Sequence, residues 1–128
     1  MTEWDPAATA LLRLLSTTAR GPRREGIFAL WLTVRVAQDL LRDVPPPERA
    51  HRRRVQALEH RLSSLTLPPP LRRALAAALS QLGEPRPETA AQVLSQLVAP
   101  ARDTGGPEAG EALAQAARAA RTAVRGAR

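Results

Sequence analysis

The stretch 22-PRREGIFALWLTVRVAQDLLRD-43 decides the fold of this chain. Drawn as a helix, it carries apolar side chains around well over half of its circumference, and a helix of that kind is usually packed on several neighbours. Pro22 suits its first turn, where a backbone N–H has no partner within the helix. On the remaining polar stripe, Arg35 and Asp39 stand four residues apart and are expected to form an ion pair.

Proline and glycine divide the rest of the chain into further helical segments. Between them, apolar residues recur every three or four positions, and no stretch alternates in the manner of a strand. The breaks predict helices over residues 6–20, 22–43, 47–66, 70–82 and 87–99. Because the connections are short, we expect an all-α fold, an antiparallel up-down bundle of about five helices.

The C-terminal part is predicted to attach only loosely to this bundle, as a helix that either packs closely through its small side chains or stays frayed until a partner binds. Residues 103–107 read as a Gly/Pro linker between a helical-bundle domain, residues 1–102, and a C-terminal amphipathic helix, residues 108–128. That helix is rich in Ala and Arg, and alanine buries little apolar area. The residues expected on its inner face are Ala109, Ala116, Ala117 and Ala120.

Basic residues are numerous but need careful interpretation. All 19 Lys and Arg positions are Arg, and Lys, Asn, Tyr and Cys are absent, which indicates a GC-rich genome rather than a function. The net charge of +7 is not forced by codon use, since acidic codons are not disfavoured in such a genome. The excess therefore favours anionic partners.

The absence of cysteine, the first residues and the short apolar runs point to a cytoplasmic protein. Without cysteine the chain has no disulfide, and its first residues include Glu3 and Asp5 with no basic region typical of a secretory signal. The longest apolar run, Gly26 to Leu32, is far shorter than the roughly 20 residues that span a bilayer. Trp4, before the predicted N-cap Asp5, is expected to fold over the first helix.

Motifs for catalysis are missing, so we expect no enzyme, no cofactor and no small-molecule substrate. Cys, Tyr and Lys are absent as nucleophiles or bases, and no phosphate-binding glycine loop occurs. Glu48 and His51 have the Glu-x-x-His spacing of di-iron bundles, but such a site needs a second copy of the motif. His60 has no glutamate three residues before it, so we predict no metal site and assign His51 to the core.

Arginines cluster where helices begin, although the positive end of the helix dipole disfavours them there. In an up-down bundle the starts of the second and fourth helices share one end, and a further arginine stripe follows the last helix. The candidate anion or nucleic-acid contacts are Arg20, Arg23, Arg24, Arg72, Arg73, Arg118, Arg121 and Arg125. Sequence-nonspecific nucleic-acid binding is therefore one functional hypothesis.

A second group of residues suggests a protein partner instead. Phe28, Trp31 and Arg35 lie beside one another on the second helix, and this combination is enriched at protein interfaces if it is not buried in the core. Together with the missing catalytic motifs, this group favours a small non-catalytic interaction protein, an adaptor or assembly subunit that binds protein partners or itself. Nucleic-acid binding is the alternative.

Overall fold

The computed structural model describes residues 5–126, and helices account for most of them. In chain order they are α1 (Asp5–Thr17), α2 (Pro22–Asp39), α3 (Glu48–Ser63), α4 (Pro69–Leu82), α5 (Pro87–Gln96), α6 (Val98–Gly105) and α7 (Pro107–Gly126). No strand occurs in this range, which confirms the predicted all-α class. The expected packing of Trp4 concerns a residue outside the described range.

Proline lies within one residue of the predicted helix starts, since α4 begins at Pro69 instead of residue 70 and α7 at Pro107 instead of residue 108. Pro22, Pro69, Pro87 and Pro107 each begin a helix, because the first turn does not need the backbone N–H that proline lacks. Two of the connections consist of very few residues. Gly21, with φ of 145°, precedes α2, and Gly106, with φ of 88°, joins α6 to α7. Residues with a side chain rarely adopt such positive φ angles. Glycine has no Cβ atom and therefore permits these tight turns.

The region after α4 differs from the predicted single helix and linker. The segment predicted as one helix over 87–99 is two helices, with Leu97 between them. Pro100 lies in the first turn of α6 instead of ending a helix, since an N–H is dispensable there. Residues 103–105 of the predicted linker form the last turn of α6, so Gly106 alone separates α6 from α7.

Helix α2 is the centre of the fold. It contacts each of the other six helices, and its Ile27, Leu30, Val34 and Ala37 are fully buried. The expected ion pair of Arg35 with Asp39 is wrong. Nearly buried Asp39 instead binds Arg42, at 3.0 Å, and Arg54 of α3, which is better placed to neutralise a carboxylate at the end of α2.

Helix α7 packs against four other helices, more closely than a loose attachment would. It contacts α5 and α6 extensively and also reaches α1 and α2. Small side chains let helices approach closely, so that backbone and neighbouring atoms also make contact, and this is the closely packed alternative that the sequence leaves open. The buried residues of this helix are Ala109, Gly110, Ala112, Leu113, Ala116, Ala117, Ala119 and Ala120.

Glycines mark the tightest contacts between α2, α6 and α7. A Cβ atom on Gly26 of α2 would lie 2.5 Å from Cγ2 of Thr104 in α6. One on Gly105 would lie 2.6 Å from Cβ of Ala109 in α7. These helices therefore meet at distances that only glycine allows at these two positions. Within residues 5–126, none of the helices has the length and apolar content that crossing a membrane requires.

Candidate functional site

Two aromatic rings and two guanidinium groups form a continuous row on the surface of α2. The rings of Phe28 and Trp31 stack with centroids 6.2 Å apart and an interplanar angle of 19°. The guanidinium carbon of Arg35 lies 5.5 Å from the Trp31 ring centroid, and that of Arg61 lies 5.4 Å from the Phe28 centroid. Both distances are those of cation–π contacts. We call these four residues the aromatic–arginine stack.

Helical spacing explains three members of the stack. Phe28, Trp31 and Arg35 are three and four residues apart, so they follow one stripe of α2. The structure places both rings half-buried against the core and leaves Arg35 exposed. Arg61, which sequence reasoning missed, comes from the last turn of α3. The helical repeat of a sequence does not indicate which helices lie side by side. The contact of Arg61 with the Phe28 ring could therefore not be predicted from the sequence.

The indole nitrogen of Trp31 is an unusual feature of the stack. Nε1 is buried and has no hydrogen-bond partner among the described residues. A buried donor without a partner costs about 1–3 kcal/mol. The ring is therefore held by packing on the core and by its neighbours Phe28 and Arg35, not by a hydrogen bond of its N–H.

An apolar groove adjoins the stack at Phe28. It has a volume of about 780 Å³ and lies between the second half of α1 and the first half of α2. Glu25 closes one side, where its Oε2 accepts a hydrogen bond of 3.0 Å from the backbone N–H of Thr66. We call it the α1–α2 groove, and the residues that define it are Leu12, Leu15, Arg20, Arg24, Phe28 and Thr66.

Three of the candidate anion contacts surround the turn between α1 and α2. Arg20 and Arg24 line the α1–α2 groove, and Arg20 and Arg23 line a cleft on its other side. Arg23 donates a hydrogen bond of 3.1 Å to the carbonyl oxygen of Gly105. Arg24 donates one of 3.1 Å to the carbonyl of Leu15. Both arginines at the start of α2 are therefore already engaged by the fold.

Of the two arginines at the start of α4, one binds a group within residues 5–126 and the other does not. Arg72 donates a hydrogen bond of 2.9 Å to the carbonyl of Leu65, in the connection that follows α3. The neighbouring Thr66 lines the α1–α2 groove, but Arg72 itself lines a separate pocket between α3 and α4. Arg73 is exposed and has no polar partner among the described residues.

The arginine stripe of α7 is also partly engaged. Arg118 forms an ion pair of 2.9 Å with Glu111 on the same helix. Arg121 donates a hydrogen bond of 2.8 Å to Oγ of Ser95 in α5. Arg125 is exposed in the last described turn, without a polar partner in residues 5–126. Two of the three guanidinium groups thus support contacts within the chain.

The helix-start arginines have a structural use that sequence reasoning missed. Gly105 is the last residue of α6, Leu15 lies in the last turn of α1, and Leu65 follows the end of α3. Carbonyl groups at helix ends lack partners within their own helix and carry partial negative charge. Arg23 and Arg24 at the start of α2 therefore satisfy carbonyls that end α6 and α1, and Arg72 binds a carbonyl of the connection after α3. The sequence of one helix shows that an arginine in its first turn interacts unfavourably with the dipole of that helix. It does not show the carbonyl of another segment that the arginine binds.

His51 lies in the core, as predicted. It is fully buried, and its Nε2 is 2.6 Å from the carbonyl oxygen of Leu82. Glu48, which shares the Glu-x-x-His spacing, pairs with Arg52 at 2.6 Å. Among the described residues, no group of three or more metal-binding side chains converges.

Comparison with known proteins adds no relative to these observations. Neither a protein-family model, nor a curated protein, nor a solved structure matches the chain.

Proposed function

We propose that this chain is a small non-catalytic interaction protein of the cytoplasm, an adaptor or assembly subunit that binds protein partners or itself. The observation that carries this proposal is the aromatic–arginine stack. Tryptophan and arginine dominate the energetics of many protein interfaces. Here Arg35 and Arg61 are exposed while Phe28 and Trp31 are half-buried, so the row offers both apolar area and hydrogen-bond donors.

The stack is suited to binding because its rings are ordered before a partner arrives. Phe28 and Trp31 pack on the core and on each other, and a guanidinium covers each ring. The side chains of the stack would then lose less conformational entropy on binding than flexible side chains would. It would also remove the exposed ring edges from water, which is favourable at about 25 cal/mol per Å² of apolar area.

The predicted up-down order of the helices belongs to the same proposal. The bond from His51 to the carbonyl of Leu82 brings the start of α3 beside the end of α4, as between antiparallel neighbours. Consecutive helices also contact one another along the whole described chain. Both observations support an antiparallel arrangement that presents the stack on one side of α2.

Nucleic-acid binding through the arginine clusters is the second candidate. Three candidate residues, Arg20, Arg73 and Arg125, are exposed and have no polar partner among residues 5–126, which supports it. Each of the other five candidates already uses one guanidinium nitrogen to bind a group of the chain itself, which leaves it less free to bind a phosphate. Binding to duplex DNA would weaken with salt, with a log–log slope near −0.9 per neutralised phosphate.

Site-specific photo-crosslinking separates these functions. A photoreactive amino acid replaces Arg35 in the stack, Arg125 in the α7 stripe, or Ala77 as an exposed control on α4. The variants are expressed in the organism that encodes the chain, irradiated in living cells and isolated under denaturing conditions. Mass spectrometry then identifies what is attached at each position, including a second copy of the chain.

The two functions predict opposite patterns. Protein adducts at position 35, with few at 125 and 77, are expected if the stack is the interface. Nucleic-acid adducts at position 125, with none of protein at 35, would replace the proposal by the alternative. Equal adducts at all three positions would show random encounters and would contradict both functions.

A further inference from the structure

The α1–α2 groove has an apolar floor and a basic rim, beside the aromatic–arginine stack. We propose that it binds an acidic amphipathic helix of a partner protein, whose apolar side chains enter the groove while its carboxylates meet the rim. The inference rests on the proposed function, because it specifies the kind of segment that the protein partner offers.

The floor is apolar and open to a partner. Leu12 is 45% exposed, and it lines the groove together with Leu15 and Phe28. In the described chain one other large apolar side chain is exposed, that of Val44 at 84%, in the connection between α2 and α3. An exposed leucine that continues an apolar groove, unlike an isolated valine in a loop, extends a surface whose burial would be favourable.

The rim selects negative charge. Arg20 has no polar partner in the described residues, and Arg24 uses only Nε to bind the carbonyl of Leu15, which leaves both of its terminal NH₂ groups. Arg61, over the Phe28 ring, adds a third positive charge nearby. Glu25 supplies a carboxylate among the lining residues, and that group accepts the N–H of Thr66. Arginines bind carboxylates with paired hydrogen bonds, so this rim is complementary to glutamate or aspartate.

The shape of the groove suits a helix. Leu12, Leu15 and Ser16 follow one face of α1 for more than one turn, and the lining continues to Arg20. A partner helix lying in such a groove inserts residues spaced i, i+3 or i+4, and i+7. The volume of about 780 Å³ accommodates two or three such side chains.

Three synthetic, fluorescently labelled peptides are the probes. The first is an amphipathic helix with leucines on one face and glutamates beside them. The second has lysines in place of the glutamates, and the third has the composition of the first with the leucines spread around the helix. Fluorescence anisotropy gives each affinity for the full chain, and ¹H–¹⁵N chemical shifts locate the binding site.

Matched substitutions test the floor and the rim separately. Leu12→Gln is compared with Val44→Gln, the other exposed large apolar residue, and Arg20→Glu is compared with Arg125→Glu. We expect the acidic amphipathic peptide to bind at least about tenfold more tightly than the other two peptides. Leu12→Gln and Arg20→Glu should each weaken it about five- to tenfold, while both controls change it less than about twofold.

The peptide affinities and the crosslinks at position 35 together distinguish this inference from the proposed function. Equal affinity for the acidic amphipathic and the scrambled peptide, equal effects of the variants and their controls, or shift changes away from Leu12 and Phe28 would overturn the groove as a helix site. Protein adducts at position 35 would in that case leave the proposed function standing. Absence of those adducts would overturn the proposed function whatever the peptides do.

Discussion

Nε2 of His51 lies 2.6 Å from the carbonyl oxygen of Leu82, the last residue of α4. A carbonyl only accepts hydrogen bonds, so Nε2 donates this one. The bond ties the first turn of α3 to the end of α4, where the helix itself offers the carbonyl no partner. Nδ1 is buried without a partner among the described residues, so the side chain is held by this single bond and by packing.

Removal of that bond should lower the stability of the chain. We expect His51→Ala to reduce the free energy of unfolding by about 2–4 kcal/mol, because it leaves a buried carbonyl unpaired and a cavity in the core. His60→Ala on the same helix, where the histidine is exposed, should change it by less than about 0.5 kcal/mol. Urea unfolding of both variants measures the difference, and equal losses would contradict the structural assignment of His51.

The contact between α2 and α6 should tolerate no extra methyl group. We expect Gly26→Ala to destabilise the chain by about 1–3 kcal/mol, because the new Cβ would meet Thr104 and the packed helices must move. Gly126→Ala is the control, since a Cβ there meets nothing within 4 Å. Thermal unfolding compares the two, and a Gly26→Ala variant as stable as the parent would mean that these helices lie farther apart.

The capping arginines offer a third comparison. Arg23→Met removes the bond to the carbonyl of Gly105 and keeps most of the aliphatic side chain, so the free energy of unfolding should fall by about 1 kcal/mol. Arg20→Met removes the same charge from the neighbouring turn, where no such bond exists among the described residues, and should cost less than about 0.5 kcal/mol. Equal effects in denaturant titrations would assign the loss to net charge instead of capping.

Amide hydrogen exchange tests how firmly α7 is attached. If the alanine face packs as described, amides of residues 112–120 should exchange only on global unfolding, with the same opening free energy as those of Leu30 and Val34 in α2. Amides near Arg125 should exchange faster, because the last turn of a helix frays. Exchange of the whole of α7 at a lower free energy would restore the loose attachment that the sequence suggests.

Local chemistry was enough to predict the class of fold and most helix starts. Proline at Pro22, Pro87 and Pro107 acts on its own turn, so its effect can be read without knowledge of the neighbours. The first turn of α6 could not be predicted in the same way. Pro100 is compatible both with a helix end and with the third residue of a new helix, and the packing of α6 on α2 and α7 decides between them.

The candidate surface was predictable only within single helices. The stripe of Phe28, Trp31 and Arg35 follows from the helical repeat, but the cover by Arg61 depends on where α3 lies. The same limit applies to Asp39, since one of its two partners, Arg54, comes from α3. Pairing between helices depends on the whole packing arrangement, which the period of one segment does not encode.

The contact between α1 and α7 also affects how the chain folds during synthesis. The ribosome releases α1 long before α7, so the nascent chain carries α1, α5 and α6 with the surface that α7 later covers still open to water. Local helix pairs such as α1 with α2 can form early, whereas the core closes only when α7 arrives. A chain that is interrupted before residue 107 therefore exposes an apolar surface of the kind that chaperones and proteases recognise.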